Sequence, residues 1–427
     1  MSALFIFGLL LVLMLTGMPI SISLGLTVLS FLFTMTQVPL ESVALKLFTG
    51  IEKFEIMAIP FFIVAGNFLT HGGVARRMIH FASSMVGHWH GGLGLAGVIA
   101  CALFAAVSGS SPATVVAIGA ILLPAMVKAG FPNKFGAGVI TTSGALGILI
   151  PPSICMVMYS VATNTSVGAL FMAGVMPGLA LAAVLGGVTW WRAKKYNYPR
   201  QPRASMGERL KAFKDSAWGL FLIVVVMGGI YTGIFTPTEA AAMSAAYAFF
   251  VAVFVYKDMS LKDVPKVLLN SANMSAMLLY IITNAVLFSF IMTSEGIPQT
   301  LANWLLGNGL GVITFLLAVN VILLVAGNFM EPSSIVLIFA PILFPVAAAL
   351  GINPVHFGII MTVNMEVGMC HPPVGLNLYV ASGITKMGIT ELTVAVWPWL
   401  LSMLAFLVVV TYWPGLSLWL PRTLGMM

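Results

Sequence analysis

Long apolar runs separated by short polar stretches dominate the first half of the chain. Runs of this length and composition predict helices that cross a lipid bilayer. Five crossings are predicted there, at residues 3–15, 20–35, 54–69, 131–163 and 167–191. Residues 37–53 are polar and predict a connection. Residues 74–90 mix basic residues and histidines with Met, Phe and Trp, which predicts a helix lying along the membrane interface.

Two further apolar arms, residues 91–107 and 113–129, are joined by the sequence Ser-Gly-Ser-Ser-Pro. Helix-breaking sequence survives at membrane depth only where protein or a water-filled cavity satisfies its backbone groups. We therefore predict a re-entrant hairpin, which enters and leaves the membrane on the same side. For the same reason, the span at 131–163 is predicted to be broken near 147–153, where Gly, Pro and Ser interrupt it.

The same order of elements recurs after a basic linker, residues 192–214, which holds eight of the 19 Lys and Arg residues. Five crossings are predicted in this second half, at residues 218–235, 238–256, 270–293, 353–383 and 392–413, and the fourth is again broken. A short interfacial segment is predicted at 297–307. A second hairpin is predicted at 310–350, with its tip near 328–334.

The recurrence also holds residue by residue. Seven identical residues, six of them Gly or Pro, recur at a constant offset of 221: Pro124 and Pro345, Gly130 and Gly351, Thr141 and Thr362, Gly147 and Gly368, Pro151 and Pro372, Pro152 and Pro373, and Pro177 and Pro398. Accidental coincidence is the alternative, but it would give about one such match. We therefore divide the chain into two repeats, residues 1–205 and 206–427. Each has five crossings and one hairpin, and the odd number makes the repeats inverted in the membrane.

Composition and charge agree with a multi-pass membrane protein. Hydrophobic residues make up 60% of the 427 residues and charged residues 7%, whereas soluble domains carry about 25% charged residues. With the linker in the cytoplasm, 16 of the 19 basic residues lie inside, as the positive-inside rule expects. Both termini are then periplasmic. The net charge of +7 is explained by this topology and the lipid bilayer, not by nucleic acid, and the three cysteines show no disulfide or metal-site spacing.

Each hairpin tip exposes two helix ends at membrane depth. The first arm ends with unpaired carbonyls, and the second begins with free amide groups at its partly positive end. Carbonyls with Ser hydroxyls suit a small hard cation, and free amides suit a carboxylate. We therefore predict two cation sites related by the repeat, with a small organic acid between them.

The residues assigned to these sites come from the tips and from the breaks beside them. The first cation site is predicted to contain Ser108, Gly109, Ser110, Ser143, Gly144 and Gly147. The second is predicted to contain Asn328, Glu331, Asn364, Glu366, Gly368 and His371. Substrate contacts are predicted for Ser111, Pro112, Thr142, Pro151, Pro152, Pro332, Ser333, Ser334, Pro372 and Pro373.

Other roles stay open for several of these residues. Ser and Thr in Gly-rich apolar helices also mediate close packing. Glu331 and Glu366 are acids within predicted spans and so are functional candidates, but Glu366 is also compatible with a satisfied structural carboxylate. His371 is compatible with capping or packing at the break. Glu239, in Thr-Pro-Thr-Glu, is expected to cap a helix.

Four motifs resemble the large membrane subunit of TRAP (tripartite ATP-independent periplasmic) transporters, and the resemblance covers the whole chain. They are Ser-Gly-Ser-Ser-Pro-Ala-Thr at 108–114, Gly-Ile-Phe-Thr-Pro-Thr-Glu-Ala at 233–240, Phe-Met-Glu-Pro-Ser-Ser at 329–334 and Pro-Pro-Val-Gly-Leu-Asn at 372–377. The resemblance implies a carrier driven by Na+, with an ion-transporter-superfamily elevator fold, in the bacterial inner membrane. It also implies two partners, a small four-helix membrane subunit and a periplasmic substrate-binding protein.

The resemblance further implies a division of each repeat. Residues 1–70 and 217–293 form the scaffold, and residues 91–163 and 310–383 form the transport part, each followed by a final span. Glu-Pro-Ser-Ser and Cys-His-Pro-Pro-Val-Gly are closer to the C4-dicarboxylate branch than to the sialic acid branch. Where relatives have Asp at the second tip and Thr before Pro-Pro, this chain has Glu331 and His371.

The predicted function is therefore sodium-coupled uptake of C4-dicarboxylates such as succinate, malate and fumarate. The alternatives are a carrier for another organic acid, such as sialic acid, and a membrane scaffold without transport. A channel would need a continuous polar pore, and no span shows a regular polar stripe. An intramembrane enzyme would need paired catalytic groups, which only His371 with Glu366 approaches, so no enzyme is predicted. No phosphate-binding Gly-rich loop with Lys is present, so ATP is not expected to drive the chain.

Overall fold

The computed structural model describes residues 2–36, 39–309 and 311–427. Within those ranges the regular structure is entirely helical, which confirms the all-α fold class. Gln37 and Leu310, where the sequence places the starts of the polar connection and the second hairpin, lie outside the described residues.

The described part of the first half is built from ten α-helices, with short 3₁₀ turns at Phe54–Met57 and Ala145–Ile148. The helices are α1 (Ser2–Leu15), α2 (Ile20–Met35), α3 (Leu40–Thr49), α4 (Ala58–His71), α5 (Val74–Val86), α6 (Gly92–Ser108), α7 (Ser111–Lys128), α8 (Asn133–Gly144), α9 (Ile154–Thr163) and α10 (Val167–Lys195).

Ten more α-helices are described in the second half, with one π-helical turn at Val251–Val255. They are α11 (Met206–Tyr231), α12 (Pro237–Phe250), α13 (Val264–Ser294), α14 (Ile297–Gly307), α15 (Val312–Gly327), α16 (Pro332–Ala349), α17 (Pro354–Cys370), α18 (Leu376–Thr385), α19 (Ile389–Tyr412) and α20 (Gly415–Thr423).

The length and composition of these helices suit a multi-pass membrane protein. In the described ranges, eight segments are long and apolar enough to cross a membrane: Phe54–His71, Ser111–Lys128, Val167–Lys195, Met206–Tyr231, Pro237–Val255, Val264–Ser294, Pro332–Ala349 and Ile389–Tyr412. Five shorter apolar segments lie in α1, α2, α6, α9 and α15.

The predicted helix breaks are confirmed. Helices α1 and α2 are separate, the span at 131–163 consists of α8, a 3₁₀ turn and α9, and the span at 353–383 consists of α17 and α18. Helices α7 and α16 have the same length, 18 residues, and begin 221 residues apart. The peptide bonds Pro151–Pro152 and Pro372–Pro373 are both cis. The inverted orientation of the two halves in the membrane stays a prediction.

The predicted polar connection at 37–53 is wrong for residues 40–49, which form α3. Val43 and Leu47, one helical turn apart, pack against the hydrophobic core, whereas Glu41 and Lys46 are exposed. An amphipathic helix of this kind has no continuous apolar run. A search for membrane-spanning runs therefore passes over it.

The predicted linker at 192–214 is also wrong in extent, because only residues 196–205 are non-helical. Ser205 and Glu208 form a capping box at the start of α11: the Glu208 amide donates to Ser205 Oγ at 3.2 Å, and the Ser205 amide donates to Glu208 Oε2 at 2.6 Å. This cap starts the helix well before its apolar part.

The cap expected at Glu239 is confirmed by the same pair of bonds with Thr236. Helix α20 was not predicted.

Large parts of the two broken helices are buried inside the protein. Every residue from 135 to 144 in α8 and from 355 to 370 in α17 is buried. The long helices α11 and α13 instead carry exposed apolar side chains such as Phe221, Val224 and Met277. The broken helices that pack against the hairpins are therefore enclosed by protein, whereas α11 and α13 present apolar side chains at the surface.

Candidate functional site

The tip of the first hairpin is a tight turn between α6 and α7. Gly109 has φ +60°, in the left-handed region that favours glycine, and a Cβ there would lie 2.9 Å from the carbonyl O of Pro152. Ser108 Oγ lies 3.0 Å from Thr114 Oγ1, which donates to the carbonyl O of Ser110 at 2.8 Å. The tip is thus shaped by hydroxyls and backbone groups, without a charged side chain.

The break between α8 and α9 packs directly against this tip. A Cβ at Gly147 would lie 2.5 Å from the carbonyl O of Ser110, so only glycine allows the approach. Ser111 Oγ donates to the carbonyl O of Gly144 at 2.9 Å. Ser143 Oγ is buried and has no hydrogen-bond partner among the described residues. The structure therefore brings together the segments that were predicted to form the first cation site.

Asn377 was not among the predicted site residues, although it ends one of the sequence motifs. Its side chain is completely buried, and its Nδ2 donates to Ser111 Oγ at 2.7 Å and to the carbonyl O of Thr141 at 3.4 Å. Asn377 lies on α18, so it joins the second broken helix to the first hairpin. The sequence does contain a signal for Asn377. It is an amide residue in an apolar segment directly after the Pro-Pro-Val-Gly break, and a buried amide needs hydrogen-bond partners.

The second hairpin tip also packs against its broken helix. A Cβ on Gly327 would lie 2.9 Å from the Cα of Gly368, and the reverse distance is the same, so α15 and α17 touch backbone to backbone. His371 Nδ1 lies 3.2 Å from Asn328 Oδ1. Ser334 Oγ donates to Glu331 Oε1 at 3.2 Å within the first turn of α16.

Asn364 and Glu366 lie on α17 but have different neighbours. The Asn364 amide donates to the carbonyl O and to Oδ1 of Asn320, at 3.0 and 2.9 Å, while its own Oδ1 is buried without a partner. Glu366 is completely buried, and neither carboxyl oxygen has a hydrogen bond within the described structure. Because an unpaired buried carboxylate is costly, this group needs either a cation or a proton.

Ser143 and Asn364 occupy equivalent positions, 221 residues apart in the two halves. Each has one buried side-chain oxygen without a partner in the described ranges. No three His, Cys, Asp or Glu side chains come together there as transition metals prefer. Hydroxyl, amide and carbonyl oxygens are instead the ligands of hard cations.

The predicted substrate residues lie at both tips, but their environments differ. Thr142 Oγ1 donates to the carbonyl O of Gly138 in its own helix, so in this conformation it faces no open site. Pro151 and Pro152 are buried, whereas Pro373 is exposed. The remaining predicted contacts are Ser111, Pro112, Pro332, Ser333, Ser334 and Pro372, which all lie at the tips or in the second break.

Comparison with known proteins agrees with this architecture. The family model described as "Tripartite ATP-independent periplasmic transporter, DctM component" matches residues 7–416. The C4-dicarboxylate TRAP transporter large permease protein DctM of Rhodobacter capsulatus is 76% identical over 440 aligned residues, covering 100% of both chains. Its namesake in Pseudomonas aeruginosa is 54% identical, covering 95% of both chains. The sialic acid TRAP transporter large permease protein SiaM of Vibrio cholerae is 36% identical, covering 96% of both.

A solved structure shows the same fold at low sequence identity. The crystal structure of the Alcanivorax borkumensis YdaH transporter matches with a TM-score of 0.61 and 16% identity, covering 91% of this chain and 89% of that chain. The family model and the relatives above extend over nearly the whole length of the chain. The chain therefore belongs to the DctM family of large permease subunits of tripartite ATP-independent periplasmic transporters.

Proposed function

We propose that this TRAP permease takes up C4-dicarboxylates such as succinate, malate and fumarate across the bacterial inner membrane, driven by Na+. The observation that supports this choice of substrate is the order of sequence identity among the relatives. Three relatives named for C4-dicarboxylates are 76%, 54% and 49% identical, whereas the relative named for sialic acid is 36% identical. A periplasmic binding protein would deliver the substrate, and a small four-helix membrane subunit would complete the transporter.

Sodium as the driving ion is supported by the oxygen atoms at the two tips. The unpartnered Ser143 Oγ and Asn364 Oδ1 occupy equivalent positions, and each lies on a helix that packs against a hairpin tip. We assign one sodium ion to each tip. The first site would combine Ser143 with carbonyls near Ser110 and Gly147, and the second would combine Asn364 with the tip at Asn328.

The charge of a dicarboxylate makes its binding depend on sodium. The predicted substrate residues include no Lys or Arg, and no Lys or Arg is among the buried residues of the described ranges, so neither carboxylate has a buried side-chain cation there. The helices beginning at Ser111 and Pro332 present their positive ends, but each end contributes only about 0.3–2 kcal/mol. Sodium should therefore bind before or together with substrate, and by linkage substrate should raise sodium affinity by the same factor.

We further propose that transport occurs by an elevator movement of the transport part against the scaffold. Many polar contacts of the transport part are internal, such as those of Asn377 with Ser111 and of Asn364 with Asn320. Contacts of this kind allow the hairpins and broken helices to move together. The substrate would then stay bound between the two tips while its exposure changes from one side to the other.

Uptake by proteoliposomes tests the proposal. The vesicles carry this chain and its small membrane partner, and uptake of labelled succinate is measured with and without a sodium gradient and the binding protein. We expect uptake only when both are present, and an excess of unlabelled malate, but not of sialic acid, should compete. Equal uptake without sodium would contradict the coupling, and uptake of sialic acid in place of succinate would change the substrate.

A further inference from the structure

Lys53 makes two hydrogen bonds to the end of α9. It lies between α3 and the 3₁₀ turn that follows, on the outer side in the predicted topology. Its Nζ donates to the carbonyl O of Val161 at 2.6 Å and to Asn164 Oδ1 at 2.7 Å. Asn164, with φ 55°, ends α9 in the left-handed conformation. Because carbonyls at a helix C-terminus carry partial negative charge, an ammonium group is well suited to this position.

These hydrogen bonds join the scaffold to the transport part and its α9 cap. Among the side-chain hydrogen bonds between described residues, those of Lys53 are the ones that cross this boundary. The others join residues of the same part, as Asn67 with Ser271 does in the scaffold, or involve elements outside both parts, as Asn320 with Thr411 of α19 does. Within the described residues, Lys53 therefore supplies the side-chain hydrogen bonds that join the scaffold directly to the transport part.

A cavity of about 210 Å³ lies at the boundary next to Lys53, and its lining on the scaffold side includes the polar residues Lys46, Thr49 and Ser289. The lining also includes apolar residues of both parts, Ala285 and Val286 of α13 and Leu337 and Pro341 of α16. Apolar contact is non-directional, so such faces can shift past one another, whereas hydrogen bonds require particular distances and angles. The position of α9 along the scaffold is thus held by the Lys53 contacts.

We propose that Lys53 is a latch that holds this conformation and releases α9 in every transport cycle. The inference rests on the proposed elevator transport. Lys53 acts through α9 and is a positioning residue, not a substrate ligand. Glu55 belongs to the scaffold, and it lines a cavity of about 560 Å³ together with Lys53. It is the carboxylate that can accept the ammonium group after release.

A cross-linking experiment tests whether release is required. Lys53→Cys and Asn164→Cys are joined by a short, reductively cleavable bifunctional thiol reagent, since a lysine side chain separates the two backbones. The three native cysteines are buried and need no replacement. The control pair is Lys46→Cys with Phe290→Cys, because Lys46 Nζ lies 5.1 Å from the Phe290 ring and both residues belong to the scaffold.

Cross-linking of the 53–164 pair is expected to lower sodium-dependent succinate uptake more than tenfold, and reduction should restore it. The control pair should transport equally well before and after cross-linking. Continued uptake by fully cross-linked 53–164 protein would overturn the latch. Absence of sodium-dependent uptake by the unaltered chain with its partners would instead refute the proposed function.

A second measurement covers the case in which the 53–164 variant is inactive before cross-linking. Lys53→Met removes both hydrogen bonds at similar side-chain length, and Lys53→Arg keeps the donors. Hydrogen exchange of the amides at the end of α9 should be more than tenfold faster in Lys53→Met and close to the unaltered rate in Lys53→Arg. Equal exchange in Lys53→Met and the unaltered chain would also overturn the latch.

Discussion

The two hairpin tips occupy equivalent positions but satisfy their polar groups in different ways. At the first tip, Ser108, Ser111 and Thr114 hydrogen-bond to one another or to neighbouring helices. At the second tip and its break lie two ionisable groups, Glu331 and His371, and among the described residues their side chains hydrogen-bond to Ser334 and Asn328, respectively. The repeated backbone brings a tip against a break in both halves. The side chains make the first tip a preorganised oxygen cluster and the second a more open, titratable one.

The difference extends to the helices behind the tips. Where the second half has the buried, unpartnered Glu366, the equivalent position of the first half is Ala145. The prolines of the first break are buried, and Pro373 of the second is exposed. Symmetry of the backbone therefore does not imply that equivalent positions carry equivalent side chains. In the proposed arrangement, the first site would hold an ion with neutral oxygens, and the second would also respond to charge.

The largest effect on uptake is expected from a substitution that fills the space between the first tip and its break. In Gly147→Ala, the new methyl group would meet the carbonyl O of Ser110 at 2.5 Å, and neither backbone segment can move away cheaply. We expect sodium-driven uptake to fall at least a hundredfold while the chain still inserts into the membrane. Gly187→Ala, where no atom lies within 4 Å, is the control and should transport normally. Normal uptake by Gly147→Ala would show that the tip and the break do not act as one site.

Removing Asn377 should weaken the link between the halves. Asn377→Ala takes away the amide that contacts Ser111 and Thr141, and leaves a cavity among buried polar groups. We expect the free energy of unfolding to fall by about 1–3 kcal/mol and uptake to fall about tenfold. Asn308→Ala is the matched control, because Asn308 is exposed and its side-chain amide donates to the carbonyl O of Trp304 in the adjacent α14. Thermal unfolding and succinate uptake are measured on both variants. Equal stability and equal uptake in the two variants would refute the role of Asn377 in joining the halves.

Neutralising Glu366 should affect the second site alone. In Glu366→Gln the shape is kept, but the negative charge that would attract a cation is lost. We expect the sodium concentration for half-maximal uptake to rise about tenfold. Thermal stability should be unchanged or higher, because an unpaired buried charge is removed. An unchanged sodium dependence would mean that Glu366 is a neutral structural residue and that the two tips are more alike than proposed.

The smallest effect is expected from neutralising a carboxylate that lies outside both tips, Asp263. Hydrogen bonds from the side chain and backbone of Ser260 lower the pKa of Asp263, which precedes α13. Its stabilising contribution is therefore present above the ordinary aspartate pKa and is lost as pH falls through the lowered value. Asp263→Asn should melt slightly earlier at pH 7 and at the same temperature as the unaltered chain near pH 2. Its uptake should be normal, and a transport defect would contradict the assignment of charge effects to the second tip.

Much of the fold follows from local sequence. Apolar runs predict most crossings, and helix-breaking Gly, Pro and Ser within apolar segments predict both hairpins and both breaks. The pair Ser205 and Glu208 had the spacing of a cap, yet the linker prediction overlooked it. Helix α3 was missed because its apolar residues lie on one face, so no run marks it.

The contacts inside the candidate site could not be predicted in this way. Asn377 meets Ser111 across 266 positions of sequence, and Lys53 meets Asn164 across 111. The sequence shows that Glu366 is an acid in an apolar helix, but only packing shows that both of its oxygens lack donors. A side chain's partners depend on which faces the helices turn toward each other.

The sequence by itself determined the class of protein, the positions of most helices and the paired breaks. These depend on interactions between residues close in the chain, namely hydrophobic periodicity, capping and the missing donor of proline. The tertiary structure alone decided which side-chain oxygens are hydrogen-bonded, which buried ones lack a partner among the described residues, and that Lys53 bonds to the end of α9. Those features depend on the packing of helices that are distant in sequence, where a shift of about one ångström makes or breaks a hydrogen bond.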